Sequence, residues 1–374
     1  MLCNLAVDLD ERFDEAARAA AIARIETAGL TVEEREGADD RTLAWIDLVF
    51  GGTWSSESFA GTNVIARRGD DPVGFATYDA RGLRFRWLRG TGTQPGVGIF
   101  GPIGIVQEIR GGEIGSALLA VALCGLRRRG YETALIPAVG EDGLLRYYQR
   151  TARARVVERF ERSHWFARRY RTVVMASGRG SNFAAVADAV REGRLPLNLV
   201  AVIANAPRAG VIERARAANV HAVEVDWKRG EETRANYDER LRNALLEFEP
   251  ELLLLLGWMH LLNARFVASF PEMLNLHPAF LPLDAAHDEV GMPDGTRIPA
   301  FRGPHAVRDA IAAGSGWIGA SVHRVTAQTD RGPVLVRVPL QLEAREEEEH
   351  AYERLRPIER ALVPRGIMRW VYER

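Results

Sequence analysis

Five consecutive leucines, Leu252–Leu256 within "ELLLLLG" (251–257), restrict the folds open to this chain more than any other stretch. A strand that is apolar at every position has no face to offer water, so both of its faces must be covered. The surrounding sequence supplies that cover. Strands expected at 172–177, 197–204 and 221–225 alternate with helices expected at 182–192, 208–218 and 233–247. Such alternation predicts an α/β domain with a mostly parallel sheet and helices on both sides. Ligands of open α/β sheets bind at the carboxyl ends of the strands. The polar motifs of this half fall at those ends.

The first half reads differently. A helix is expected over 11–28, and "NVIARRGDDPVGFATYD" reads as two strands around a turn at 70–72. "LRFRWLRG" reads as a further strand, followed by the apolar run "VGIFGPIGIV". Gly-rich "RGGEIG" then leads into an amphipathic helix, and a strand "TALIPAV" and a helix around "GLLRYYQRTA" close the half. The charged, aromatic stretch "FERSHWFARRYRT" (160–172) marks the boundary, so domains are expected at 1–169 and 170–374. Both are ordinary domain sizes. The acidic run "EAREEEE" (343–349) is expected to start a solvated helix ending in "GIMRWVYER".

Composition narrows the classes of function. Lys and Arg total 49 against 50 Asp and Glu, a net charge of −1, so no global bias toward nucleic acid or anionic membrane exists. No run approaches the roughly 18 apolar residues of a membrane helix, and the amino end has no signal-peptide pattern. The two cysteines, Cys3 and Cys124, form neither a metal-ligand spacing nor a disulfide framework. A cytoplasmic location is expected, with no metal.

Two motifs carry chemistry. "SGRGSN" (177–182) follows a strand and opens a helix. Its glycines let the backbone approach an anion, and free N–H groups at a helix start favour phosphate or carboxylate. It is not a P-loop, since no Gly-Lys-Ser/Thr follows. It is a poor dinucleotide fingerprint, since Phe183 occupies the third glycine position and the next strand ends at Asn205 rather than a carboxylate. An anion site for a small substrate and a plain tight turn both remain open. The second motif is "MLNLHPAFLP" (273–282), where Asn275 and His277 share one face of a strand that proline then ends. Asp330 lies in the loop of "ASVHRVTAQTDRGPVLV". An amide can donate to a developing oxyanion, and a histidine held cationic by a carboxylate can donate a second bond. The carboxylate can relay the proton of an attacking amine. Ordinary structural roles for a strand-end Asn and His stand beside that reading.

In order and spacing, five motifs of the second half resemble the glycinamide-ribonucleotide formyltransferase family: "SGRGSN", "GWMHLL" (257–262), "LNLHPAFLP", "FRGPHA" (301–306) and "SVHRVTAQTDRGPV". The resemblance implies a Rossmann-like domain, a 10-formyltetrahydrofolate donor and a small-molecule amine acceptor. It implies that Asn275 and His277 polarise the formyl oxygen while Asp330 pairs with His277. It assigns the anionic part of the acceptor to Gly178, Arg179, Gly180, Ser181 and Asn182. It assigns the folate to Gly257, Met259, His260, Leu262 and Asp330, with Arg234 meeting its glutamate tail. Two departures stand out. His260 replaces an arginine beside the folate pocket, and "LDAAHDEVGMPDGTRIPA" (283–300) is an insertion, expected to be a solvated acidic loop or a lid. A hydrolase that passes the formyl group to water, or a non-catalytic binding protein, would keep the same motifs.

The first half resembles GCN5-related N-acetyltransferases, an α+β fold, with the best match over 95–155. The resemblance implies that Arg110, Gly112 and Gly115 lie against the pyrophosphate of acetyl-CoA and that Tyr148 is a general acid. Glu113 departs from the family's glycine there. A bifunctional acetyl and formyl transferase is the corresponding alternative, and a homodimer is a further expectation.

Overall fold

The computed structural model describes residues 1–141, 143–270 and 272–374. The chain divides into two compact units, Met1–His164 with Tyr372–Arg374, and Trp165–Val371.

Unit 1 runs β1 (Leu2–Asp8), α1 (Glu15–Thr27), β2 (Thr31–Glu36), α2 (Asp40–Phe50), α3 (Ser55–Ala60), β3 (Thr62–Arg68), β4 (Asp71–Tyr78), β5 (Val97–Ile105), α4 (Ile114–Arg128), β6 (Thr133–Gly140), α5 (Gly143–Ala152) and β7 (Arg155–Phe160). Its seven strands form one sheet in the order β2-β3-β4-β5-β6-β1-β7. Every neighbouring pair is antiparallel except β5 and β6. The first strand therefore lies between the two that come last. α1 and α4 cover one face, with Leu5, Ile25, Phe100, Leu118 and Leu123 in the shared core. The expected helix 11–28 is interrupted, because Asp14 is extended and caps α1 through Ala17 N–H. "LRFRWLRG" is not a strand but two short 3-10 turns. Phe85 and Leu88, three residues apart, anchor that segment in an apolar cluster, a spacing that suits a 3-10 turn rather than a strand.

The four-residue helix α6 (Ser163–Phe166) spans the division between the units. Unit 2 continues with β8 (Tyr170–Ala176), α7 (Ser181–Arg191), β9 (Leu197–Ala204), α8 (Gly210–Ala217), β10 (His221–Glu224), α9 (Arg234–Leu246), β11 (Leu252–Leu256), α10 (Ala264–Ser269) and β12 (Met273–His277). It ends with β13 (Glu289–Gly291), β14 (Arg297–Pro299), α11 (Ala306–Ala312), β15 (Trp317–Arg324), β16 (Val334–Gln341) and α12 (Glu348–Tyr372). The main sheet has the order β10-β9-β8-β11-β12-β15-β16. It is parallel from β10 through β12 and antiparallel beyond. The leucine strand β11 lies at its centre and all five leucines are buried.

Two expectations change. The 283–300 segment contains a packed β13–β14 hairpin rather than a solvated loop. α12 is not a solvated helix either. Ala351, Leu355, Leu362, Ile367 and Trp370 are all buried along it, behind an exposed acidic first turn. Among the described residues no helix is long and apolar enough to cross a membrane, and no group of His, Cys, Asp and Glu has the arrangement of a metal site.

Candidate active site

A cavity of about 360 Å³ opens at the carboxyl ends of β8, β11 and β12. Asn275 and His277 are two residues apart on β12 and so face the same side. β12 ends at His277, and Pro278, which has no N–H to donate, follows it. In the antiparallel pair β12–β15, Asn275 stands opposite His323. That register brings in a side chain to which the sequence reading gave no role.

Asp330 reaches the same point from the β15–β16 connection. Asn275 Nδ2 donates to Asp330 Oδ1 at 3.3 Å and lies 3.2 Å from His323 Nε2. His277 Nδ1 is 3.6 Å from Asp330 Oδ2. His323 Nε2 is 3.4 Å from Asp330 Oδ1. The second carboxylate oxygen also accepts the Gly303 N–H at 2.8 Å. Burial raises the carboxyl's proton affinity, but the two histidines and this N–H outweigh it and hold Asp330 well below the ordinary carboxylate range.

At His277 burial opposes the expected cation. Its Nε2–H donates to the Phe301 carbonyl at 2.7 Å, and the ring is 3% exposed. Burial pulls its proton affinity below the ordinary histidine range, against the opposing pull of Asp330 and the Phe301 carbonyl. A carboxylate shared among His277, His323 and Gly303 does not offset the desolvation of the imidazole.

The "SGRGSN" loop forms another wall, with Gly178, Arg179, Gly180, Ser181 and Asn182 all lining the cavity. Gly180 is left-handed at φ 76°, and a Cβ there would lie 2.7 Å from Val211 Cα, so no other residue fits the close approach of α7 and α8. The Gly178 and Arg179 carbonyls are taken by Val211 N–H and by Arg214 Nε. The first turn of the 11-residue α7 thus opens on the cavity with its N–H groups unused by the helix.

α12 supplies residues that the sequence reading missed. Tyr352, Arg356 and Glu359 line the cavity beside this loop. Asn182 Nδ2 donates to Glu359 Oε2 at 3.0 Å, and among the described residues Asn182 Oδ1 is buried with no partner. Burial pushes the Glu359 carboxyl up, against the Asn182 hydrogen bond and the Arg356 charge. A periodic signal in "ERLRPIERALVP" would have marked an inward face, but the two prolines, Pro357 and Pro364, and the charges obscured it.

Gly257, Met259, His260 and Leu262 also line the cavity, after β11. Ser177 Oγ accepts the Met259 N–H at 3.0 Å, joining the two loops. His260 packs edge-on against Trp227, Tyr237 and Trp258. Burial, then the Arg234 and Arg229 charges, lowers its proton affinity. Arg234 is not among the lining residues. Its guanidinium is held by Asp238 at 2.8 Å and by the Leu261 carbonyl, where it braces the 257–262 loop.

In unit 1, Arg110 and Gly112 are exposed ahead of α4, and Arg110 Nε donates to the Ile105 carbonyl at 2.9 Å. Tyr148 is not poised there. It is 6% exposed in the apolar core, where burial raises its proton affinity. The hydroxyl near Gly115 belongs to Tyr147, which burial pushes up to about 12.

The family model for "Formyl transferase" matches residues 170–287 and 295–367. The phosphoribosylglycinamide formyltransferase of Mycobacterium tuberculosis (strain CDC 1551 / Oshkosh) is 35% identical over 203 residues, 53% of this chain and 83% of that protein. The enzyme of the same name from Escherichia coli (strain K12) is 30% identical over 193 residues, 51% of this chain and 82% of that protein. The crystal structure of glycinamide ribonucleotide transformylase 1 from Symbiobacterium toebii aligns with a TM-score of 0.46 at 31% identity, covering 53% of this chain and 86% of that one. The chain belongs to the formyl transferase family, as a 10-formyltetrahydrofolate-dependent formyltransferase.

Proposed function

We propose that this enzyme transfers the formyl group to the amine of a small anionic molecule, and that Asn275, His277 and Asp330 perform the chemistry. The observation that carries the reading is the meeting of these three side chains, within 3.6 Å of one another through Asp330, on the wall of a cavity that the α7 loop also lines. The amine lone pair attacks the formyl carbon, and the carbonyl π pair moves to oxygen. Asn275 Nδ2 turns one of its N–H hydrogen bonds to that oxygen; its present bonds of 3.2 and 3.3 Å are long enough to yield one. The ammonium proton of the adduct passes to the Asp330 carboxylate. Collapse re-forms the carbonyl and breaks the bond to N10 of the folate, which takes that proton from the Asp330 carboxyl and leaves as tetrahydrofolate. His277, anchored through Nε2 on the Phe301 carbonyl, faces the Asp330 carboxylate with Nδ1 and fixes where that carboxylate stands.

The acceptor's anionic group belongs at the α7 start, between Arg179 and Arg356. The relatives' own name specifies a phosphate-bearing amine, which supports this class. Glu359 and the unpartnered Asn182 Oδ1 would take hydrogen-bond donors of the acceptor. The pterin belongs against Met259, His260 and Leu262. Asn275→Ala tests the site: turnover falls about 100- to 1,000-fold while folate binding persists. Near wild-type turnover in that variant, or formate release at the same rate without any amine, ends the reading.

One observation favours a second activity in unit 1. β5 and β6 pair in parallel only at Val97–Ile99 with Thr133–Leu135, then part over the remainder of strands that run on to Ile105 and Gly140. Parted parallel strands ahead of the exposed turn Arg110–Gly112 suit a thioester-linked cofactor such as acetyl-CoA, and we read Tyr147 rather than Tyr148 as the hydroxyl beside it.

A further inference from the structure

The 283–300 insertion has a rigid tip and a root that meets the catalytic pair. Val290 pairs with Ile298, both Val290 and Met292 are fully buried, and Trp317 Nε1 donates to Asp294 Oδ2 at 2.7 Å, pinning the tip. The chain leaves β14 through Ala300 into Phe301, Arg302 and Gly303. Phe301 accepts the His277 Nε2–H bond. Arg302 Nε donates to the Asp330 carbonyl at 3.3 Å, and the Gly303 N–H bonds its carboxylate. Asp288, at the other strand of the root, joins these contacts. Its Oδ1 accepts Arg302 Nη1 at 2.8 Å and also Arg331 Nη2. Arg302 Nη2 and Arg331 Nη1 donate to the His287 and Ala285 carbonyls at 2.7 and 2.9 Å. Two arginines, one bonded to the Asp330 carbonyl and the other next to Asp330 in sequence, are thus tied to one insertion carboxylate.

Asp330 needs such restraint. It stands at φ 51°, a region that a non-glycine side chain holds only when its surroundings fix it.

We propose that Asp288 is a positioning residue for formyl transfer, holding the Asp330 loop through Arg302 and Arg331 so that carboxylate and imidazole keep their working geometry. The proposal rests on the catalytic reading of Asn275, His277 and Asp330 given above. Asp288 is largely exposed, and an exposed ion pair adds little stability. Its effect is therefore geometric. Displacing a catalytic group by about 1 Å costs on the order of 100-fold in rate. The charged or titratable groups facing His277 are Asp330, His323 and Arg302, and two of these three hang from the same loop contacts.

The test needs no knowledge of the acceptor. In the full-length chain with labelled histidines, the His277 imidazole is titrated by NMR in wild type, Asp288→Asn, Asp288→Glu and Asp330→Asn. Tetrahydrofolate affinity and the urea midpoint are measured on each. We expect Asp288→Asn to lower the His277 midpoint by about half a unit or more, as Asp330 drifts from the ring. Folate affinity should stay within about twofold, the urea midpoint should hold, and Asp288→Glu should restore the titration. A His277 that follows Asp330→Asn but ignores Asp288→Asn overturns this proposal alone. A shift in Asp288→Asn that comes with a fallen urea midpoint and lost folate affinity also overturns it, as a folding effect. A His277 indifferent to Asp330→Asn overturns the catalytic pairing, and the role of Asp288 with it.

Discussion

Glu359 and Asp330 are carboxylates of one cavity whose proton affinities are displaced in opposite directions. For Glu359 the folded value is raised. Its stabilising contribution is complete below the ordinary carboxylate range and is lost as pH rises through the folded value. Glu359→Gln should therefore melt higher than wild type at pH 7–8, with the difference closing toward about pH 4, while acceptor KM rises. Asp330 is depressed, so its contribution is present above the ordinary range and is lost as pH falls toward the folded value. Asp330→Asn should lose stability at neutral pH and converge with wild type only in strong acid, a comparison that thermal melts across pH can make. The residues of the β12 face were legible in sequence because a period of two and a following proline dictate where Asn275 and His277 point. His323 was not, because its place depends on the register of β15 against β12. Glu359 was not, because one glutamate in a charged helix carries no mark of burial.

At the scale of elements, the tight return from β15 to β16 sets where Asp330 sits. A Cβ on Gly332 would fall 1.6 Å from the Arg324 carbonyl oxygen, so the backbone has to move for any other residue. Gly332→Ala should destabilise by more than about 3 kcal/mol, or reshape the loop and abolish turnover; urea unfolding alongside single-turnover kinetics distinguishes these from a silent change, which would contradict the placement. The leucine strand was readable because uniform burial leaves one solution, the centre of a covered sheet. The β13–β14 hairpin was not readable. Its acidic composition suggested solvent, whereas Val290, Met292 and Ile298 carry the packing and the acids serve as acceptors for Arg302, Arg331, Arg297, Thr296 and Trp317. α12 misled in the same way, since its acidic first turn precedes a buried interior.

At the scale of the whole molecule, the two units carry separable expectations. Formyl transfer is assigned wholly to groups of Trp165–Val371. A change in the first turn of α4, such as Gly115→Glu, should leave it untouched, while calorimetry on the full chain should show acetyl-CoA binding lost. Absence of acetyl-CoA binding to the wild-type chain would remove the second activity and leave the first standing. The alternation of strands and helices made the α/β half plain. The order of the unit 1 sheet was hidden, because nothing local states that β1 pairs between β6 and β7.

The most direct measurement is a crystal structure of the enzyme with a non-hydrolysable 10-formyl folate analogue. The account predicts the pterin beside His260, the formyl oxygen within about 3.2 Å of Asn275 Nδ2, and the open side of the formyl carbon facing the α7 loop. A formyl group seated away from Asn275, His277 and Asp330, with those side chains unchanged around an empty cavity, would contradict it.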